Sequence, residues 1–293
     1  MKLVATLNLL SEIETLIHLG VSVLLLDSDI LTTRTTHPQT KEFIEQAINI
    51  VHTLGKEVYI NLNTMLHESD IPVAKEYLLF LKRVKVDGIV IFDWTYYPLA
   101  KVLNIHPLII YRPGTLTTNL YDPRFYEQLG IKGMTVAREI TLESIVAITE
   151  IPQKIELSMV GHGYMPMFYS KRPLITSYLR EKNIDIIDHL GNPKLSIRES
   201  NRQTISYPIY EDAFGTHIMR EKKLESFNEV LVLRPFLSDF FIERFLISDN
   251  EYYDAIRAYN DERLIPNFRT HYQKEYDSGF FYKQTNLRNE VKL

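Results

Sequence analysis

Val21-Ser22-Val23-Leu24-Leu25-Leu26-Asp27 and Val58-Tyr59-Ile60-Asn61-Leu62-Asn63 decide the fold. Each is a short aliphatic run ending on a polar side chain, the pattern of a strand buried on both faces whose last residue emerges at the sheet end. The same pattern recurs on either side, at Leu3–Leu7, Gly88–Phe92, Leu108–Tyr111, Gly133–Ala137, Ile155–Val160 and Val230–Leu233, which makes eight runs. Segments of helical spacing separate them: Ser11–Leu19, Gln39–Leu54, Ile71–Arg83, Tyr96–Leu103, Pro123–Leu129 and Leu142–Thr149. Ser11 and Thr141 suit N-caps, and Gly20, Gly55 and Gly130 suit helix stops. Alternating strand and helix implies parallel pairing through right-handed crossovers, and 293 residues suffice for one closed barrel. The expectation is an α/β fold: a single-domain, TIM-like (β/α)8 barrel over residues 1–293.

The alternation fails between 178 and 228. There Asn183–Asp188, Leu195–Glu199 and Ile205–Tyr210 read as extended pieces around a Gly191-Asn192-Pro193 turn, a small β-rich insertion before the last strand. Asp239–Asn260 reads as one long helix, and residues 261–293 form a C-terminal tail whose end, from Tyr276, is polar and aromatic.

Composition excludes several chemistries. With no cysteine, the chain has no disulfide, thiolate metal ligand, cysteine nucleophile or self-held iron–sulfur cluster. A net charge of −4 argues against a generally basic nucleic-acid-binding surface, so any such contact needs a local patch or a partner. No apolar run is long enough for a membrane span and the start lacks a signal-peptide pattern, so the expected location is the cytoplasm. His67-Glu68 lacks the second histidine of a zinc-protease helix, and no Gly-x-Ser-x-Gly elbow occurs. No metal site is expected.

The polar strand ends carry the functional signal. Asn8, Asp27, Asn63, Asp93, Arg112, Arg138 with Glu139, His162 and Arg234 should converge on the carboxyl-terminal face of a parallel barrel, where barrel enzymes place their chemistry. Arg112, Arg138, Lys171, Arg172 and Arg234 are candidate anion ligands, because guanidinium forks match carboxylate or phosphate oxygens. Asp27, Asn63 and Asp93 complete the candidate binding set. Glu139, His162 and His217 are the candidate acid–base groups. Structural alternatives stand beside these: ion pairs Arg138–Glu139 and Arg172–Glu211, and Ser170 capping a helix at Pro173–Arg180.

Four ordered blocks resemble the peptidase U32 family. They are His162-Gly163-Tyr164-Met165-Pro166-Met167-Phe168-Tyr169-Ser170-Lys171-Arg172-Pro173-Leu174-Ile175; Ala137-Arg138-Glu139-Ile140-Thr141; Tyr207-Pro208-Ile209-Tyr210-Glu211-Asp212 with Gly215-Thr216-His217-Ile218-Met219; and Asp277-Ser278-Gly279-Phe280-Phe281-Tyr282-Lys283. The last is similar to the tail of a short form found in Gram-positive bacteria. Pro166 and Pro173 stand where the family's signature has cysteines, so the iron–sulfur cluster of many relatives is expected to be absent. The resemblance implies an accessory or substrate-binding subunit in prephenate-dependent 5-hydroxylation of the transfer RNA wobble uridine. Prephenate is then a candidate ligand, a cysteine-bearing U32 paralogue a candidate partner in a heterodimer, and contact with transfer RNA direct or through that partner. Two alternatives remain: a collagenase-like peptidase, for which no nucleophile or metal site is recognisable, and a scaffold whose role is pairing with that paralogue.

Overall fold

The computed structural model describes residues 1–35, 37–150, 152–184 and 188–283. Strands β1 (Lys2–Thr6), β2 (Val23–Asp27), β3 (Glu57–Leu62), β4 (Gly88–Ile91), β5 (Ile109–Tyr111), β6 (Gly133–Thr135) and β7 (Glu156–His162) follow one another as the aliphatic runs require. A second sheet then intervenes, made of β8 (Pro166–Ser170), β9 (Ser196–Glu199), β10 (Arg202–Asp212) and β11 (Gly215–Met219). After the short β12 (Lys223–Leu224), β13 (Asp239–Ile242) pairs in parallel with both β1 and β7 and closes an eight-stranded barrel. A last two-residue strand, β14 (Tyr276–Asp277), lies beside β12.

The barrel is the expected TIM-like α/β fold, with one correction at its last strand. Val230–Leu233 is not a strand: Glu229–Leu233 is a short helix, with Val230 and Leu233 buried and Leu231 and Val232 exposed, a three-residue spacing that no strand shows. The closing strand is Asp239-Phe240-Phe241-Ile242, so the helix expected over Asp239–Asn260 starts only at Asp249. The second sheet also begins before 178, because β8 pairs antiparallel with β11. Of the expected extended piece Asn183–Asp188, residues 185–187 lie outside the described residues, as do 284–293 of the tail.

Two apolar layers hold the barrel. Val4, Val23, Leu25, Tyr59, Val90, Ile110, Val160 and Phe241 fill its interior, while the alternate strand residues pack against the surrounding helices. Thr141 caps the helix Leu142–Thr149 as expected, accepting from the Ser144 N–H at 3.2 Å. Ser11 is not the cap of the first helical segment; the Glu12 carboxylate takes that role, accepting from the Asn8 and Leu9 N–H groups.

One glycine is fixed by close packing. A Cβ on Gly161 would lie 2.1 Å from two Phe240 ring carbons, so that ring packs across β7 only because this position has no side chain. Gly161→Ala is expected to cost about 1–3 kcal/mol of stability through overpacking. Urea unfolding checks this, and an unchanged midpoint would contradict it.

Candidate functional site

The carboxyl ends of the strands open into a polar cleft with about 510 Å³ of empty space, including its mouth. Asp27 ends β2, Asn61 and Asn63 come from the end of β3, Arg112 follows β5 and Glu243 follows β13, all lining it. Arg34 reaches it from the loop after β2, and Arg138, after β6, lines the adjoining cavity. Parallel closure makes this convergence obligatory: every strand delivers its last residues to the same end.

Within the cleft, Asn61 links charge to charge. Its Nδ2 donates to Asp27 Oδ1 at 2.8 Å, and its Oδ1 accepts from Arg112 Nη2 at 2.9 Å. Glu243 sits between two guanidiniums, 3.5 Å from Arg112 Nη1 and 3.5 Å from Arg138 Nη1. Both Nη1 atoms are buried and have no hydrogen-bond partner among the described residues. Burial lowers the Arg34 pKa to about 10, an effect offset in part by Glu243 and deepened by the Arg138 and Arg112 charges. Burial raises the Asp27 carboxyl above its usual value, despite the opposing bonds and the Arg112 charge. Three guanidiniums, of Arg34, Arg112 and Arg138, thus gather around the Glu243 and Asp27 carboxylates. Buried guanidinium donors that outnumber the carboxylates beside them suit the oxygens of an anion.

Arg244 forms another wall of the cleft. Its Nη1 and Nη2 grip Glu12 at 2.9 and 2.8 Å, Nη2 also reaches Asp249 at 2.7 Å, and the guanidinium covers the Tyr252 ring. Burial raises the Glu12 pKa, but bonds from Arg244, Tyr253 and Leu9 outweigh it and hold the carboxyl at about 2, against an ordinary 4.5. Because the folded value is the lower one, this contribution is complete above pH 4.5 and vanishes as pH falls to about 2. Glu12→Gln should therefore flatten the acid limb of a stability–pH curve from urea midpoints. An identical limb in both proteins would refute the assignment.

The other candidates are distributed differently. Asn63 is at the cleft, its Oδ1 accepting from the Thr33 N–H at 2.8 Å, and Glu139 is exposed on the rim. Asp93 does not line the cleft; it accepts from the Leu66 and Thr95 N–H groups and shapes its own loop. Lys171 ties the second sheet to the loop after β3, donating to Met65 O at 2.8 Å and Asp70 at 3.1 Å. Arg172 is exposed, and Glu211, its expected ion-pair partner, instead accepts from the Ile175 and Thr176 N–H groups at the start of the helix Leu174–Glu181. Glu211 and Thr216, rather than Ser170, therefore cap that helix. Arg138 pairs with Glu243, not Glu139. Arg234 follows the helix that replaced the expected strand, is exposed, and donates to Tyr259 O at 3.1 Å before β13 begins, so it does not join the strand ends.

Neither histidine faces the cleft as an open acid–base group. His162 is enclosed by Phe227, Tyr259, Phe268 and Tyr276, and burial, assisted by the Lys223 charge, lowers its pKa to about 3. Its Nε2 lies 3.1 Å from the Tyr276 hydroxyl, which donates to Glu251, so that nitrogen carries the proton it donates. His217 stacks on Tyr169 with ring centroids 4.4 Å apart, and burial, then the Arg34 charge, lowers its pKa to about 2. Thr33 Oγ1 is 2.7 Å from both His217 Nε2 and Asp212 Oδ2. This cluster is no triad, since the carboxylate binds the hydroxyl rather than the second ring nitrogen and Thr33 is fully buried. Its effect is mechanical: Asp212 also accepts from the Arg34 N–H at 3.0 Å, and Arg34 is held at φ +58°.

Arg34, Asn61, Glu243 and Arg244 escaped the sequence reading. Asn61 lies within a run rather than at its end, and Arg34 lies deep in a loop. Glu243 and Arg244 follow the true last strand, so finding that strand would have found them.

Fold and cleft together define a (β/α)8-barrel protein with a cationic, ligand-type mouth. A model of peptidase family U32 matches residues 10–290, and the chain belongs to that family. The chain is 30% identical over 220 residues to the tRNA hydroxylation protein P2 of Bacillus subtilis, covering 74% of this chain and 71% of that one. It is 24% identical over 193 residues to the tRNA hydroxylation protein P of Helicobacter pylori, covering 63% of this chain and 45% of that longer one. An uncharacterized protease of Methanocaldococcus jannaschii is 24% identical over 275 residues, with 86% and 65% covered. The solved structure of a U32 peptidase shares the fold at a TM-score of 0.52 and 15% identity, covering 83% of this chain and 92% of that one.

A cysteine-held iron–sulfur cluster does not fit this chain. Pro166 opens β8 and Pro173 precedes a helix, neither side chain offers a donor, and among the described residues no group of three or more His, Asp or Glu gathers as a substitute. Among the described residues, no helix is long and apolar enough to cross a membrane.

Proposed function

We propose that this chain is a cluster-less U32 subunit that supports hydroxylation of the transfer RNA wobble uridine by binding a small dicarboxylate such as prephenate at the barrel mouth. The observation that carries this reading is the pair of buried Nη1 atoms of Arg112 and Arg138, which share the single Glu243 carboxylate at 3.5 Å and make no hydrogen bond among the described residues. Two guanidinium edges held on a rigid barrel suit two carboxylate oxygens, whereas a peptide bond offers no matching charge. The names of the Bacillus and Helicobacter relatives support the choice of reaction. With no cluster of its own, the chain works in the cytoplasm beside a cysteine-bearing paralogue, which supplies the redox chemistry. Deleting the gene and measuring 5-hydroxyuridine in transfer RNA by mass spectrometry tests this, with loss expected and an unchanged level refuting it.

A peptidase reading finds no support at the mouth. The Thr33–His217 hydroxyl–imidazole contact is sealed from solvent and lacks the geometry of a nucleophile and its base.

A further inference from the structure

The turn between β10 and β11 is fastened to the wall of the arginine cleft. Tyr210 donates through its hydroxyl to Thr35 O at 3.2 Å, and Asp212 Oδ2 accepts from the Thr33 hydroxyl at 2.7 Å and from the Arg34 N–H at 3.0 Å. The single Thr33 O–H proton goes to the carboxylate, so His217 Nε2 carries the hydrogen it donates to Thr33 Oγ1. Asp212 is aimed by its own turn: its Oδ1 accepts from the Phe214 N–H at 2.8 Å, while the Tyr169 hydroxyl donates to Phe214 O at 3.0 Å. From the other side the end of β3 grips the same loop. Asn63 Oδ1 accepts from the Thr33 N–H at 2.8 Å, and the Thr64 hydroxyl donates to Leu31 O at 3.1 Å.

What these two anchors hold between them is Arg34. Its backbone, at φ +58°, lies in the left-handed region that a side chain makes unfavourable, and its side chain lines both the cleft and the adjoining cavity. Glu243, whose charge favours the Arg34 cation, is already shared by Arg112 and Arg138 at 3.5 Å each. Arg34 is therefore held at the cleft without a carboxylate in ion-pair contact among the described residues. Backbone strain that the surroundings over-determine, at the wall of a charged cavity, points to a ligand group held ready rather than to the needs of the loop.

We infer that Arg34 binds one carboxylate of the dicarboxylate and that Asp212 is the positioning residue that keeps it there, so that the second sheet sets the affinity of the barrel mouth although Asp212 never touches the ligand. The inference rests on the anion site proposed above and adds which of its guanidiniums is adjustable. Arg112 and Arg138 follow β5 and β6 closely and are placed by the barrel itself. Arg34 lies well beyond the end of β2 at Asp27, and its place depends on a hydrogen bond to a carboxylate of the inserted sheet. A role is thereby given to the turn of residues 212–217, which the barrel alone does not require.

The test is a double-mutant cycle on the full chain, read by calorimetry with prephenate. Arg34→Ala should weaken binding about tenfold or more, the loss of a charge-assisted donor, and Asp212→Ala about fivefold, the cost of ordering a side chain that the parent holds ready. In the Arg34→Ala background, Asp212→Ala should change the affinity by less than about twofold, because its effect passes through Arg34. General loosening of the second sheet would instead lower affinity equally in both backgrounds. Thr33→Val, nearly isosteric, removes one of the two loop donors to Asp212 and serves as a milder variant if the alanine protein does not fold; its smaller loss should likewise vanish without Arg34. Urea midpoints show which variants are folded. Additive losses overturn the inference, as does parental affinity in folded Asp212→Ala or a parent that binds no prephenate. The two readings fail separately. Lost hydroxyuridine on gene deletion with additive losses sinks only the positioning role; unchanged hydroxyuridine with a coupled cycle sinks only the proposed reaction.

Discussion

Lys223→Ala is expected to destabilise the protein by about 3–5 kcal/mol, the usual cost of removing one partner of a buried ion pair. Lys223 is 2% exposed and donates to Glu251 and, at 2.7 Å, to Glu275. Glu275 is on the surface and can turn to water, but Glu251 is 6% exposed and cannot. With the ammonium gone, Glu251 keeps, among the described residues, the Tyr276 hydroxyl at 2.6 Å as its side-chain donor, and that hydroxyl is also the one His162 needs. The damage therefore spreads along β12 and β14, which attach the C-terminal segment to the end of β7. Lys223→Ala/Glu251→Ala should be less destabilised than the sum of the single changes. Urea unfolding of the set measures this, and strict additivity would mean that the pair contributes nothing as a pair.

Arg112→Ala should abolish measurable dicarboxylate binding, a loss of about a hundredfold or more, because it removes a buried, charge-assisted donor at the cleft. Its effect on stability should be smaller than that of Lys223→Ala. Arg138 remains 3.5 Å from Glu243, so no carboxylate is stranded, and loss of one guanidinium relieves repulsion among three. Arg112→Lys should fail to restore binding, since an ammonium supplies charge but not the planar fork that reaches Asn61 and the ligand together. Calorimetry with prephenate against each variant reads the effect. Wild-type affinity in Arg112→Ala would place the ligand elsewhere.

The barrel was legible because its physics is local. Seven aliphatic runs bounded by helical segments can be buried on both faces in few other ways. The eighth strand was misplaced because composition favoured Val230-Leu231-Val232-Leu233 over Asp239-Phe240-Phe241-Ile242, although only the latter is flanked by partner strands on both sides. That error carried Arg234 into the candidate site and kept Glu243 and Arg244 out. The cleft was half legible for the same reason: Asp27, Asn63, Arg112 and Arg138 end strands or follow them directly, so strand order alone delivers them.

The two histidines mark the boundary of what residue type can say. His162 follows a strand as a catalytic residue would, yet the C-terminal segment folds over it and seals it with Tyr259 and Tyr276. No local pattern announces that cover, which comes from residues about a hundred positions away.

By itself, then, the sequence determined the alternating barrel, the family and the loss of cysteine ligation, because these depend on periodicity and on which residue types are present. Tertiary structure alone decided which strand closes the barrel, which charges meet at its mouth and which groups are hidden. Those depend on contacts between distant segments: Arg34 is fixed by Asp212 and Arg244 by Glu12, pairs separated by 178 and 232 positions.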